Sequence, residues 1–333
     1  MIMISKIIPF ILITSFACKE NEMKSMYFDN LKEQNKKTDK QYDKKIINDK
    51  LQSQIYINYA FSDLYPTSTK ITSKGIYLGN GKNIFMFTFT GELVKKINLP
   101  TSVESFLDFA VLDNNTTPVF YVNRNGNLVC FTEEGKILFK TTAGDLLKTD
   151  DQGNVYSNYQ IYDEEKDKVM NRIKITDKKG TTSDYQSSMD LGCLNFELID
   201  GYIMLHTPDG QFSMLPLNTS KGIQSNTLSE MDGRVWFLGA TDSFFIFRTY
   251  DYTAQKDRIF FYDKKLKLCE NRLLPFHPDE IVKEQRKNED LLSENPTATF
   301  YTYYKGRIFY LRNTTKGSVI TELLPLASKV EEK

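Results

Sequence analysis

At 333 residues, with 40% apolar and 13% aromatic side chains, the chain is long enough to bury a substantial core. Its 43 lysines and arginines balance 43 aspartates and glutamates, which leaves no electrostatic case for nucleic acid or for a strongly charged polymer as partner. The two histidines, His206 and His277, lie far apart in sequence, which excludes a histidine-rich metal centre; no metal and no cofactor is expected.

The chain opens with a charged start around Lys6, an apolar run from Ile7 to Ala17, then Cys18 and polar sequence from Lys19. At about 1.5 Å rise per residue this run is far shorter than a ~30 Å hydrocarbon core, so it reads as a cleaved signal over residues 1–17 rather than a spanning helix. The segment resembles the lipobox of bacterial lipoproteins: Ala17 occupies the small position before the modified cysteine, while Ser15 and Phe16 depart from the strict pattern. The resemblance implies lipidation at Cys18. Lys19 after the cysteine, by likeness to enterobacterial sorting, implies the outer membrane, on its periplasmic or surface face. An ordinary signal peptide with Cys18 incidental is the alternative.

Residues 18–50 are rich in Lys, Asp, Glu, Asn and Gln, with Met26-Tyr27-Phe28 the only apolar cluster. Such sequence cannot bury enough surface to offset its conformational entropy, and it reads as a polar tether. A polar helix docked on the folded part is the alternative.

From residue 51 to 325 the pattern changes to short strands. Apolar-aromatic bursts follow turn residues at Gly75, Pro118, Gly153, Gly201, Ser243 and Gly306. Alternation, β-branched and aromatic enrichment, and Gly or Asn at the breaks are hairpin signals. Apart from the longer last gap, the spacing is near the roughly 40–50 residues of a four-stranded propeller blade. The bursts predict an all-β, six-bladed β-propeller; a seven-bladed ring, a β-sandwich pair and a β-helix are the rivals. The last unit, Thr297 to Leu324, lacks an outermost strand, and Gln54 to Tyr59 is a strand without a blade. The N-terminal strand is therefore expected to close the ring by completing the last blade. Within the last gap, Phe276 to Asn295 predicts one helical insert: Pro278, Asp279 and Glu280 suit a first turn, and Asn295-Pro296 stops it. It is either a flap on the ring face or a solvated decoration. Residues 326–333 read as a C-terminal tail.

Besides Cys18 there are three cysteines, Cys130, Cys193 and Cys269, without metal-type spacing. Buried free thiols in strands are expected, with one disulfide as the alternative. The sequence has no Gly-x-Ser-x-Gly elbow and no phosphate-binding glycine loop, and its catalytic residues are unknown. Thr149-x-Asp151-x-Gly153-x-x-Tyr156 satisfies a loose Asp-box once and reads as a plain Asp-Gly turn. Phe106 to Ala110 and Asn195 to Leu198 are expected to be innermost strands. Asp108 and Glu197 are charges inside apolar strands, costly unless they meet water, a partner or a cation. They are candidate ligand-binding residues lining the channel, and solvent-facing strand residues is the blander expectation. Arg248, in Phe245-Ile246-Phe247-Arg248, is a third candidate. Trp236 reads as blade packing.

Asp150-Asp151-Gln152-Gly153-Asn154-Val155-Tyr156, with a looser echo at Arg124 to Leu128, resembles the first hairpin of NHL-type propeller repeats. Together with the lipobox, the chain resembles the six-bladed NHL-like propeller lipoproteins of bacterial envelopes. That resemblance implies a non-enzymatic binding or scaffold module, held to a membrane by its lipid, with a protein partner of unstated identity and no nucleic acid. Two other expectations stand beside it. One is a propeller hydrolase or lyase with calcium or an acid pair in the central channel; the other is a sensor of a small envelope ligand.

Overall fold

A computed structural model describes residues 54–61, 65–113, 117–150, 152–185, 196–199, 201–206, 211–217, 224–228, 235–251, 253–254, 256–274, 301–314 and 317–323. The expected signal peptide, Cys18, the tether, the helical segment 276–295, Cys193, His277 and the tail lie outside the described residues.

The described residues form strands and turns, with no helix among them. In chain order the strands are β1 (Gln54–Ile57), β2 (Ser68–Ile71), β3 (Ile76–Gly79), β4 (Ile84–Phe87), β5 (Leu93–Ile97) and β6 (Asp108–Leu112). Next come β7 (Val119–Arg124), β8 (Asn127–Thr132), β9 (Ile137–Thr142), β10 (Leu147–Thr149), β11 (Val155–Asp163) and β12 (Lys168–Thr176). Then follow β13 (Thr182–Tyr185), β14 (Phe196–Ile199), β15 (Tyr202–His206), β16 (Gln211–Pro216), β17 (Gln224–Thr227) and β18 (Val235–Ala240). The last are β19 (Phe244–Asp251), β20 (Lys256–Asp263), β21 (Leu268–Leu273), β22 (Tyr301–Tyr304), β23 (Arg307–Thr314) and β24 (Gly317–Glu322).

These strands make six four-stranded sheets: β2–β5, β6–β9, β10–β13, β14–β17, β18–β21, and a last one ordered β1-β24-β23-β22. All the pairings with neighbours are antiparallel, as tight hairpins require. Asn125-Gly126, between β7 and β8, shows why: both residues have positive φ, 49° and 75°, the two-residue turn whose twist matches the flanking strands. In the last sheet β1 runs antiparallel to β24, with Gln54 opposite Thr321 and Ile57 opposite Ser318. The fold is of the β-propeller type.

Burial is deepest in inner strands and least in the outer strands β5, β9, β13 and β21. β3 and β4 are buried along their whole length, and their sequences are continuous apolar runs. The fourth strands β9 and β21 alternate between half-buried and exposed positions. This gradient corrects one expectation. Cys130, on the third strand β8, is buried, but Cys269, on the outermost strand β21, is exposed; both are free thiols.

Apolar layers fill the seams between successive sheets. Tyr77 and Met86 meet Phe109, Phe120 and Phe131 between the first two. Tyr121, Leu128 and Cys130 meet Leu147 and Val155 at the next seam, and Tyr156 and Ile173 meet Phe196, Ile203 and Leu215 after that. Phe212 of β16 packs on Phe237 and Phe247 at ring-centroid distances of 5.1 Å. The largest cluster joins Leu78 and Phe87 to Ile246, Phe261, Leu311 and Ile320, so it draws on the first sheet and the last two. Each such side chain contributes about 1.5–3 kcal/mol on burial. The first strands of the sheets also touch in cyclic order: β2 with β6, β6 with β10, β10 with β14, β14 with β18, β18 with β22, and β22 with β2.

Candidate channel site

The six first strands converge on one small void of about 20 Å³. Each contributes to its wall: Lys70 from β2, Asp108 from β6, Lys148 from β10, Phe196 and Glu197 from β14, Trp236, Phe237 and Leu238 from β18, and Tyr301 from β22. Charge alternates over the first four sheets, and the last two present aromatic rings.

The charged half is a set of joints between sheets. Lys70 Nζ lies 3.3 Å from Asp108 Oδ2 and also donates to the Leu147 carbonyl at 3.3 Å. The same Asp108 Oδ2 accepts the Leu147 N–H at 3.0 Å, so one carboxylate ties β2, β6 and β10 together. Lys148 Nζ lies 2.5 Å from Glu197 Oε2 and joins β10 to β14. Burial pushes the Lys70 ammonium below its ordinary value, and Asp108 pulls it part of the way back.

The aromatic half stands on a second buried group. Arg248, on β19, is fully buried; its Nη1 donates to Asp257 Oδ1 on β20 at 2.9 Å. Its guanidinium lies over the Trp236 ring, 4.0 Å from the centroid, a desolvated cation–π contact of about 2 kcal/mol. Tyr301 donates its hydroxyl to Asp257 Oδ2 at 2.6 Å and so links the β18–β21 sheet to the last one. Burial, then the Asp257 charge, raises the Tyr301 phenol well above its usual value.

Above the charged layer, on the side of the turns that follow the first strands, lies a cavity of about 410 Å³. Lys70, Lys148 and Glu197 form its floor, and Asp113, Asp150 and Lys305 stand around its mouth. The mouth carboxylates are fixed. Asp113 pairs with Lys74 at 2.6 Å and accepts the Thr72 hydroxyl. Asp150 accepts the N–H groups of Gln152 and Asn154 at 2.9 and 2.8 Å and the Tyr156 hydroxyl at 3.1 Å. The carboxylate that organises this turn is thus Asp150, while Asp151 of the Asp-box pattern lies outside the described residues.

The structure puts Asp108 and Glu197 in one layer and sets Arg248 behind Trp236, one strand further out. The blander expectation for the two carboxylates, a solvent-facing position, is corrected: Asp108 is 1% exposed and Glu197 9%. Sequence reasoning missed Lys70, Lys148, Tyr301 and Asp257. A signal was present, because Lys70, Asp108, Lys148 and Glu197 each precede the next burst within the short first strand of a unit. Trp236 packs as expected and lines the small void as well. Among the described residues, no group of three or more His, Cys, Asp or Glu side chains is clustered to hold a metal ion.

No protein-family model matches the chain, and no curated protein matches it. Among solved structures, it is similar to a member of the DUF4221 family from Bacteroides vulgatus, with TM-score 0.54 and 9% identity over 81% of this chain and 96% of that one. It is also similar to a protein of unknown function from Bacteroides caccae, with TM-score 0.42 and 14% identity over 64% and 83%. BamB from Moraxella catarrhalis gives TM-score 0.41 and 12% identity over 81% and 86%. At these identities the likeness concerns the fold alone.

Proposed function

We propose that this chain is a six-bladed propeller closed by its N-terminal strand, tethered in the cell envelope by a lipid on Cys18, and that it works as a non-enzymatic binding module. The cyclic contacts of the first strands and the β1–β24 pairing support the closed ring. The lipobox-like segment before Cys18 supports the anchor, and the polar stretch to residue 50 supplies the tether.

One observation carries the binding reading over the hydrolase or lyase reading. The two channel carboxylates are each held by a lysine of a neighbouring strand, Asp108 by Lys70 and Glu197 by Lys148. A general acid–base pair needs carboxyl groups that exchange protons near the working pH. Carboxylates engaged by lysines of neighbouring strands serve as joints between sheets.

Metabolic labelling with a clickable fatty acid, followed by membrane fractionation, tests the anchor. Wild type should carry the label and sediment with membranes; Cys18→Ala should lose the label and leave the membrane fraction. A Cys18→Ala protein as firmly membrane-bound as wild type would exclude lipidation there as the anchor. Cross-linking in intact cells tests the module, since a binding module should be recovered with a reproducible protein or glycan.

A further inference from the structure

We propose that the cavity at the channel mouth takes a small zwitterion, of the size of a free amino acid or a dipeptide, lying across the channel. Its anionic end faces Lys70 and Lys305, and its cationic end faces Glu197 and Asp150. This deepens the binding-module reading and rests on it, but it needs neither the lipid nor a protein partner.

Size comes first. About 410 Å³ lies within the roughly 300–1,000 Å³ of small-ligand sites. Charge narrows the class. Three lysines, Lys70, Lys148 and Lys305, and three carboxylates, Asp113, Asp150 and Glu197, line the cavity. They are not mixed evenly around it. Lys70 on β2 and Lys305 after β22 belong to first strands that touch each other. The carboxylates come from the next three units, after β6, after β10 and on β14. Lys148 stands on the carboxylate side, paired to Glu197, and Lys74 pairs with Asp113, so the cavity presents both signs, with cations at one wall and ion-paired carboxylates at the other. A singly charged ligand is attracted to one wall and repelled by the opposite one, and a neutral polyol leaves the field unused. A dipolar ligand gains at both ends.

The floor is built before a ligand arrives. Lys70 and Glu197 are fixed by their ion pairs, which lowers the ordering cost of binding. Binding capacity remains there. An ammonium has three N–H donors, and Lys148 directs one of them to Glu197. Asp108 supplies a second, independent observation. Its Oδ1 is fully buried without a hydrogen-bond partner and borders the void beneath the floor. That void shares Lys70, Lys148 and Glu197 with the cavity, and its volume holds about one water molecule, which could relay Asp108 to a bound ammonium or to the floor. The remaining wall, with Leu112, Leu198, Tyr303 and Tyr304, offers an apolar surface to the ligand's own side chain.

Calorimetric titration of the full chain, purified in detergent, separates the outcomes. The probes are leucine and leucyl-leucine, the cation-only analogue leucinamide, the anion-only analogue N-acetyl-leucine, and glycerol. Leucine or the dipeptide should bind, with each single-charge analogue at least about tenfold weaker and glycerol silent. Lys305→Ala, a substitution in the turn after β22, should weaken the zwitterion about tenfold while the free protein still unfolds cooperatively. Single-charge analogues that bind equally well, wild-type affinity in Lys305→Ala, or no binding of any probe would each overturn the proposal. Cross-linked partners recovered in cells would leave the binding-module reading standing in all three cases.

Discussion

Asp108 carries an unusual share of the molecule's order for one side chain. Its backbone N–H reaches Asn123 Oδ1 at 2.9 Å, while its carboxylate holds Lys70 and the Leu147 N–H. Removing it strands a mostly buried ammonium and a buried amide together. Asp108→Ala is expected to cost about 3–5 kcal/mol, read as a shift in the urea midpoint at unchanged slope. Lys70 gives the pH signature. Its folded-state value lies below the ordinary 10.5, so between the two values the unfolded chain binds more protons than the folded one. Stability attributable to Lys70 is therefore smallest below its folded value, and it rises as pH climbs through that value towards 10.5. Wild type should gain on Lys70→Met across that window in paired denaturation curves; a constant gap would show that the ammonium is not desolvated. The carboxylates were legible in the sequence as costly charges in apolar strands. Their partners were not, because Lys70 lies 38 positions from Asp108 and Lys148 lies 49 from Glu197. Such pairs are one repeat apart, and only the register between sheets shows that they meet.

At the scale of elements, one device recurs where the chain passes from one sheet to the next. Asn123, on the second strand β7, donates to the Gly144 and Asp145 carbonyls at 2.5 and 2.6 Å, just before β10. Asn313, on the second strand β23, donates to the Pro66 carbonyl at 2.8 Å, just before β2, and accepts the Ser318 hydroxyl at 2.8 Å. In both cases a second-strand amide pins the link into the next sheet. Gly144 shows how close the link runs, since an added Cβ would stand 1.3 Å from the Asn158 carbonyl oxygen. Asn313→Ala leaves a buried carbonyl and a buried hydroxyl without this partner, and about 1–3 kcal/mol of stability should go with it in thermal or urea unfolding. Many strands were plain in the sequence, because β3, β4, β7 and β8 are built around apolar runs bounded by turn residues. The first strands were fainter: β2, β6, β10 and β14 are three to five residues long and each carries a charge that breaks the apolar pattern. The β11–β12 hairpin was equally hard to foresee. Its strands run nine residues each, while β10 and β13 cover only the end near Val155 and Thr176. Ile161, Tyr162 and Val169 are exposed beyond that cover, so the period of burial fades while the ladder continues.

For the molecule as a whole, the β1–β24 ladder decides how the last sheet is finished. A chain that begins after β1 exposes the edge of β24 and uncovers Ile57, which is buried in the largest core cluster. Deleting residues 54–57 should lower the melting temperature and promote association through the open edge, as size-exclusion chromatography would show. A deletion that melts and elutes like the intact protein would mean that the ladder contributes nothing. The pairing of the two ends could be read from the sequence as a surplus strand at one end and a missing strand at the other. It also sets an order of events at synthesis. β1 is made before the other described strands and its mate β24 after them, so it must wait unpaired while all the strands between them are synthesised. Two nascent copies in close proximity can each lend that waiting strand to the other's tail, giving an exchanged dimer whose yield rises with expression level.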